Sequence, residues 1–265
     1  MKTISVVFLL GAAALAQDAG DRVTVPFSDP ARPRTVKGSL ANGCFTAEGY
    51  DGKDVVVESR GEEISSRHRP PRGAEGLKRI DLGAIGLTVE EENNTVTVHD
   101  HGAGSGKVLI RVPRETTLKL SCTNGGDLKV AGVNGDLELN DTNGGVNAAN
   151  VSGSVIAHST NGRVLVSLDR VAPDKPMSFS SMNGDVDVTL PAGTRATLRM
   201  RSDNGEIWTD FEVRLTPNAS PQVVEEAHGK HKVKMDKATV GTINGGGPDL
   251  TFKTMNGNIF VRQKK

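Results

Sequence analysis

Aromatic side chains are scarce, at 3% of the chain, with one tryptophan and one tyrosine. A core built on a few bulky anchors is therefore excluded, and any interior must be assembled from the many Val, Leu, Ile and Ala residues. Beyond the first residues, no stretch approaches the roughly 20 apolar residues that a membrane-spanning helix needs. Charge of one sign is also missing: 32 basic residues balance 32 acidic ones, which leaves no field to draw the chain to nucleic acid or an anionic lipid surface. There are two cysteines, Cys44 and Cys122, so neither a disulfide framework nor a C-x-x-C or zinc set can be built. Between these two thiols, 78 positions apart (122 − 44), a single disulfide and a free buried pair both stay open, with the free pair slightly preferred. No segment of useful length carries a helical pattern.

What is present begins with a leader. The opening MKTISVVFLLGAAALAQ joins a basic residue, Lys2, to an apolar stretch from Ile4 to Leu15 and a small-residue site at Ala14-Leu15-Ala16. These features predict a signal peptide over residues 1–16, cleaved before Gln17, and an exported protein in the periplasm or outside the cell. A buried N-terminal helix is the competing reading and fits the basic start and small-residue end less well. No cysteine follows the cleavage site, so a lipoprotein attachment point is missing.

Internal repetition is the dominant signal. Asn-Gly recurs at Asn42, Asn124, Asn134, Asn143, Asn161, Asn183, Asn204, Asn244 and Asn256. Six of these share a longer context, and their residues form the candidate turn ladder: Asn124-Gly125, Asn143-Gly144, Asn161-Gly162, Asn183-Gly184, Asn204-Gly205 and Asn256-Gly257. Spacings of 19, 18, 22, 21 and 52 give a period near 20 residues with one gap that holds an insertion. Alternating apolar residues follow each turn, as in Val164, Val166 and Leu168 or Val186, Val188 and Leu190, which is the period-2 pattern of a half-buried strand. Asn tolerates the left-handed region and Gly enters positive φ freely, so a sharp turn at each copy is expected. A single Asn-Gly fits a hairpin equally well, but the regular period favours stacking.

The fold class this predicts is all-β, a β-solenoid-like stack of short strands, with tandem β-sandwiches joined near residue 112 as the alternative. Stacking would place the Asn residues in one row. Cys122, Asp141, Ser159, Ser181, Ser202 and Thr254, two places earlier, would form another. Residues 17–112 read as an N-terminal β region with a polar loop at 61–76. Residues 113–265 read as the repeat body, continuous with it and interrupted by an insertion at 212–240 whose VVEEAHGKHKVKM looks like a hairpin.

The phrases VLIRVPRETTLKLSCTNGGDLKVAGVNGDLELNDTNGGV, SMNGDVDVTLPAGTRATLRMRSDNGEIWTDF and GGGPDLTFKTMNGNIF resemble an adhesin-type domain-of-unknown-function family of exported bacterial proteins, over roughly residues 35 to 262. The resemblance implies an all-β, solenoid-like fold and an envelope or extracellular location. It carries no catalytic residues over to this chain.

Other clusters are weaker. His99-Asp100-His101 offers imidazole and carboxylate ligands, but no further ligand at a sensible spacing, and reads as a solvated turn. GAGSGK lacks the spacing of a phosphate loop. Acidic turns at Asp136 and Asp185 supply oxygens for Ca²⁺ without the register of a calcium-binding solenoid. Acidic residues are scattered rather than paired as glycoside hydrolysis requires, and no G-x-S-x-G elbow occurs in a strand-to-helix context. The expectation is thus a non-enzymatic structural or adhesin-like envelope protein with no cofactor and no metal site. Its partner is not named by the sequence; a glycan or an envelope surface protein are the candidates. A polysaccharide-active β-helix enzyme and an envelope-sensing accessory protein are the alternatives.

Overall fold

The computed structural model of the chain describes residues 21–29, 31–61, 87–100, 106–216, 222–227, 230–234 and 238–265. The segment 1–16 expected to be a leader, residues 62–76 of the polar loop, and His101 lie outside the described residues. Among the described residues there is no helix, and hence none long and apolar enough to cross a membrane.

Each repeat unit makes one coil of two short strands, one before and one after an Asn-Gly corner. Met177–Ser181 and Val186–Pro191 flank Asn183, for example, and Val155–Ser159 and Val164–Val171 flank Asn161. Successive coils stack in parallel: Val155–Ser159 lies between Leu137–Asp141 and Met177–Ser181, while Val164–Val171 lies between Val146–Gly153 and Val186–Pro191. The period-2 pattern decides the packing, because alternate residues of each strand face the interior. One inner column runs Leu120, Leu139, Ala157, Phe179, Phe252, Met200, and the facing one runs Val130, Ala148, Val166, Val188, Val261. All are buried, within a single core that extends from Phe27 to Val261. Small residues meet large ones along the columns; Phe179 packs beside Ala157 on one side and stacks its ring 5.3 Å from Phe252 on the other. The chain is an all-β solenoid. The tandem-sandwich alternative is corrected by Arg34–Tyr50, which pairs with Gly106–Pro113 and with Thr116–Asn124 and so carries the stack across residue 112.

Coil order in space departs from coil order in sequence at both ends. The last coil, Asp249–Asn256 and Ile259–Lys264, is inserted between the Asn183 coil and the Asn204 coil. Likewise the first coil, Arg34–Tyr50, sits between the strands Thr95–Asp100 and Gly106–Pro113 on one side and Thr116–Asn124 and Leu128–Ala131 on the other. Antiparallel strands close the stack: Leu87–Glu92 pairs with Thr95–Asp100, and Thr239–Ile243 covers Ala196–Asn204. The flanks of the 212–240 insertion belong to this cap, since Arg214–Leu215 pairs with Thr239–Ile243. Within the insertion, Gln222–Ala227 and Lys230–Lys234 form a separate antiparallel pair.

Candidate functional site

At the corners, the six Asn residues lie in one row along the stack. Asn143 Nδ2 donates to Asn124 Oδ1 at 2.6 Å, Asn161 to Asn143 at 2.9 Å, Asn183 to Asn161 at 2.9 Å, Asn256 to Asn183 at 2.8 Å, and Asn204 to Asn256 at 2.9 Å. Every interior member gives one amide hydrogen bond and accepts one, as an Asn side chain stacked at the inter-strand spacing can.

The corner glycines are needed for a different reason from the one their type implies. Positive φ occurs at Gly43, Gly125 and Gly126, but Gly144, Gly162, Gly184, Gly205 and Gly257 and their Asn partners do not adopt it. Close approach of backbones dictates the choice instead. A Cβ on Gly162 would stand 2.3 Å from the carbonyl oxygen of Gly144, one on Gly184 2.3 Å from that of Gly162, and one on Gly257 2.3 Å from that of Gly184. The left-handed asparagines of the structure are elsewhere, at Asn93, Asn94, Asn150 and Asn244.

A second row, two residues before each Asn, lines the inside of the same corner. By strand register it runs Leu40, Cys122, Asp141, Ser159, Ser181, Thr254, Ser202. Its hydroxyls tie one coil to the next: Ser159 Oγ donates to the Gly144 carbonyl at 2.7 Å and accepts from Gly162 N–H at 2.8 Å, while Ser181, Thr254 and Ser202 donate to Gly162, Gly184 and Gly257. Asp141 is the one ionisable carboxylate in this row. It is 2% exposed, accepts from Gly144 N–H at 2.6 Å, and burial pushes its carboxyl above the usual carboxylate range. Cys44 and Cys122 are both buried, with their Sγ atoms 2.7 Å apart and Cys44 Sγ 3.7 Å from Asp141 Oδ2. The hydrogen bond between the two thiols, then burial, raises the Cys44 thiol far above its ordinary range. Cys44, Cys122 and Asp141 together could offer three donor atoms to a metal ion.

The outer surface carries a feature that the repeat reading did not assemble. Four residues after the corner Asn in five of the six coils, Asn147, Leu165, Asp187, Phe260 and Trp208 form one column on the side of the strands opposite the core, with Asp187 itself 8% exposed. Asp187 receives a forked pair of bonds from Arg262, Nε to Oδ1 at 2.8 Å and Nη2 to Oδ2 at 3.1 Å. The same guanidinium lies 4.9 Å from the centre of the Phe260 ring, and Trp208 beside it is 56% exposed. Aligning the units on their Asn and reading that column down would have exposed this run, but Phe260 joins Asp187 only because the last coil is inserted. Elsewhere, His99 and Asp100 end the strand Thr95–Asp100 rather than opening a turn, and Asp100 accepts from Ala41 N–H at 3.0 Å. Asp136 pairs with Lys175 at 2.8 Å, and Asp185 accepts from Asn258 N–H at 2.8 Å, so both acidic corners are engaged within the protein.

Among curated proteins, none matches the chain. Solved structures similar to it are a putative cell adhesion protein from Clostridium sporogenes (9% identity, covering 93% of this chain and 100% of that one, TM-score 0.44) and a putative adhesin from Bacteroides fragilis (10%, 94% and 98%, TM-score 0.27). A third is a putative adhesin from Parabacteroides merdae (10%, 93% and 96%, TM-score 0.27). Residues 117–262, more than half of the chain and all six rungs of the Asn row, match the Toastrack DUF4097 model, and the protein belongs to that family of solenoid-like domains of unknown function.

Proposed function

We propose that the chain is an exported, non-catalytic scaffold of the bacterial envelope that adheres to a glycan through the outward column ending at Trp208. Export is supported by the leader over residues 1–16. The observation that carries the adhesive reading is the exposed Trp208 beside Phe260, over whose ring Arg262 is held by the buried Asp187, on a face of parallel strands. A tryptophan more than half exposed contributes little to the core, whereas a rigid aromatic face flanked by a charged fork suits a sugar ring, whose C–H face stacks while its hydroxyls hydrogen-bond. A solenoid suits this role because its coils hold a continuous surface in fixed register.

The non-catalytic part draws support from how the carboxylates are occupied. Asp187, Glu138, Asp136 and Asp169 each pair with a cation, Arg262, Lys119, Lys175 and Lys264 respectively, across coils or loops. General acid and base work instead needs a carboxylate pair free to exchange protons with a substrate.

Glycan-array and pull-down binding of the full chain, wild type against Trp208→Ala and against a deletion of residues 217–237, provides the test. The proposal expects Trp208→Ala to weaken binding at least tenfold without changing thermal stability. Equal, background-level binding by all three proteins would remove it.

A further inference from the structure

Cys44 and Cys122 meet only because the first coil is inserted next to the Asn124 coil. Leu40 then pairs with Cys122 and Asn42 with Asn124, the chain turns at Gly43, and Cys44 arrives diagonally across the inside of the corner. These are the chain's two cysteines, and they are 5% and 1% exposed. We propose that Cys44 and Cys122 are joined by a disulfide in the folded protein, a staple that locks the inserted first coil to its neighbour.

A metal ion is the competing occupant, since Asp141 stands beside the pair. Two thiolates on one zinc ion, each about 2.3 Å from it, stand roughly 3.8 Å apart at the tetrahedral angle. Here the sulfurs approach to 2.7 Å, well inside that separation, which favours the covalent pair. So does the row itself: where other coils place a serine or threonine whose hydroxyl bonds a glycine carbonyl, this one places a sulfur beside a second sulfur.

The step balances with a disulfide oxidant, RSSR. One cysteine thiolate attacks RSSR, forming a mixed disulfide and expelling RS⁻, which takes up the proton the thiol released. The second cysteine thiolate attacks the protein sulfur of the mixed disulfide and expels a second RS⁻. Two thiols have lost two protons and two electrons, and the oxidant has become two thiols. Because the adjacent Cys122 thiol, burial and the neighbouring carboxylate all oppose a thiolate at Cys44, exchange belongs to the stage before the coil is covered, and burial of both sulfurs shields the finished bond from reductant. An oxidising compartment supplies RSSR, so the bond's presence in the cell rests on the export reading, whereas its formation in vitro does not.

The experiment folds the reduced, denatured full chain in a mixture of oxidised and reduced glutathione. Free thiols are counted in denaturant, tryptic peptides are mapped and zinc is measured. The expected result is no free thiol, one peptide pair linked through Cys44 and Cys122, and resistance to dithiothreitol until denaturant is added. Cys122→Ser is a fitting variant because serine occupies the equivalent place at Ser159 and Ser181, and it should lower the melting temperature as much as refolding the wild type without oxidant does. If that variant fails to fold, the wild-type peptide map decides alone. Two free thiols after oxidative folding, or stoichiometric zinc with both thiols recovered on chelation, would overturn the proposal. A linked pair in vitro together with free thiols in chain recovered from cells supports the bond and counts against export.

Discussion

Asn256 donates its side-chain amide to Asn183, 73 residues earlier, at 2.8 Å, while Asn204, which lies between them in sequence, bonds to Asn256 from the other side at 2.9 Å. The row of amides therefore follows the stack and not the chain. A corner residue acts between coils that are adjacent in space, whatever their separation along the backbone.

Interior and terminal rungs should differ in consequence. Asn183→Ala removes two bonds, leaving Asn161 Oδ1 without its donor and the Asn256 amide N–H without its acceptor, and should cost about 1–2 kcal/mol, whereas Asn204→Ala removes a single bond at the end of the row and should cost about half as much. Asn161→Asp places a carboxylate against Asn143 Oδ1 and should be worse than Ala above the carboxylate range. Urea denaturation midpoints measure the order; equal losses at Asn183 and Asn204 would contradict it.

Backbone approach makes a sharper distinction among the glycines. Gly162→Ala drives a methyl to 2.3 Å from a backbone oxygen, which has no rotamer to escape through, and should destabilise by about 3 kcal/mol or more. Gly193→Ala meets nothing within 4 Å and has no positive φ, so it should be neutral or slightly stabilising. Thermal unfolding of the two variants separates a packing role for the corner glycine from a conformational one.

Asp141 should make stability fall as pH rises. Its folded carboxyl is held above its ordinary value of 3.8 by burial, so over the interval from that value up through the folded one the native state binds more protons than the unfolded chain. The stabilising contribution is complete below about 3.8 and is lost as pH climbs through the folded value. Asp141→Ser supplies the hydroxyl that Ser159 and Ser181 use in the same row, and should gain about 1 kcal/mol at pH 7 while flattening this slope. Denaturant midpoints between pH 4 and pH 8 test it; an unchanged slope in the variant would count against Asp141 as the source.

Much of the architecture was legible because it is local. The alternation after each corner is visible at Val164, Val166 and Leu168, and it sends those residues to the core however the coils are ordered. Repetition near 20 residues then makes stacking the natural way to bury one apolar face per strand. The role of the corner glycines is not legible in the sequence, for an equally plain reason. Positive φ is a property of one residue and can be guessed from its type, but a carbonyl 2.3 Å from a missing Cβ belongs to another coil and leaves no mark in the residue's own neighbourhood.

The candidate site shows the same division. Trp208 stands out in any composition, yet its setting beside Phe260, Arg262 and Asp187 requires the final coil to enter the stack ahead of the coil that precedes it. Cys44 and Cys122, 78 residues apart, could not be told from an unrelated pair until Arg34–Tyr50 was placed against Thr116–Asn124.

Sequence alone determined the strand period, the corners and the rows they would make, because hydrophobic alternation and side-chain chemistry act within a few residues. Tertiary structure alone decided which coil lies on which, and thereby the partners of Asn256, the meeting of the thiols and the aromatic face. Parallel strands of similar pattern pair almost equally well in several orders, so neighbours are chosen by the fit of whole columns, Phe252 upon Phe179 among them, and not by any single segment.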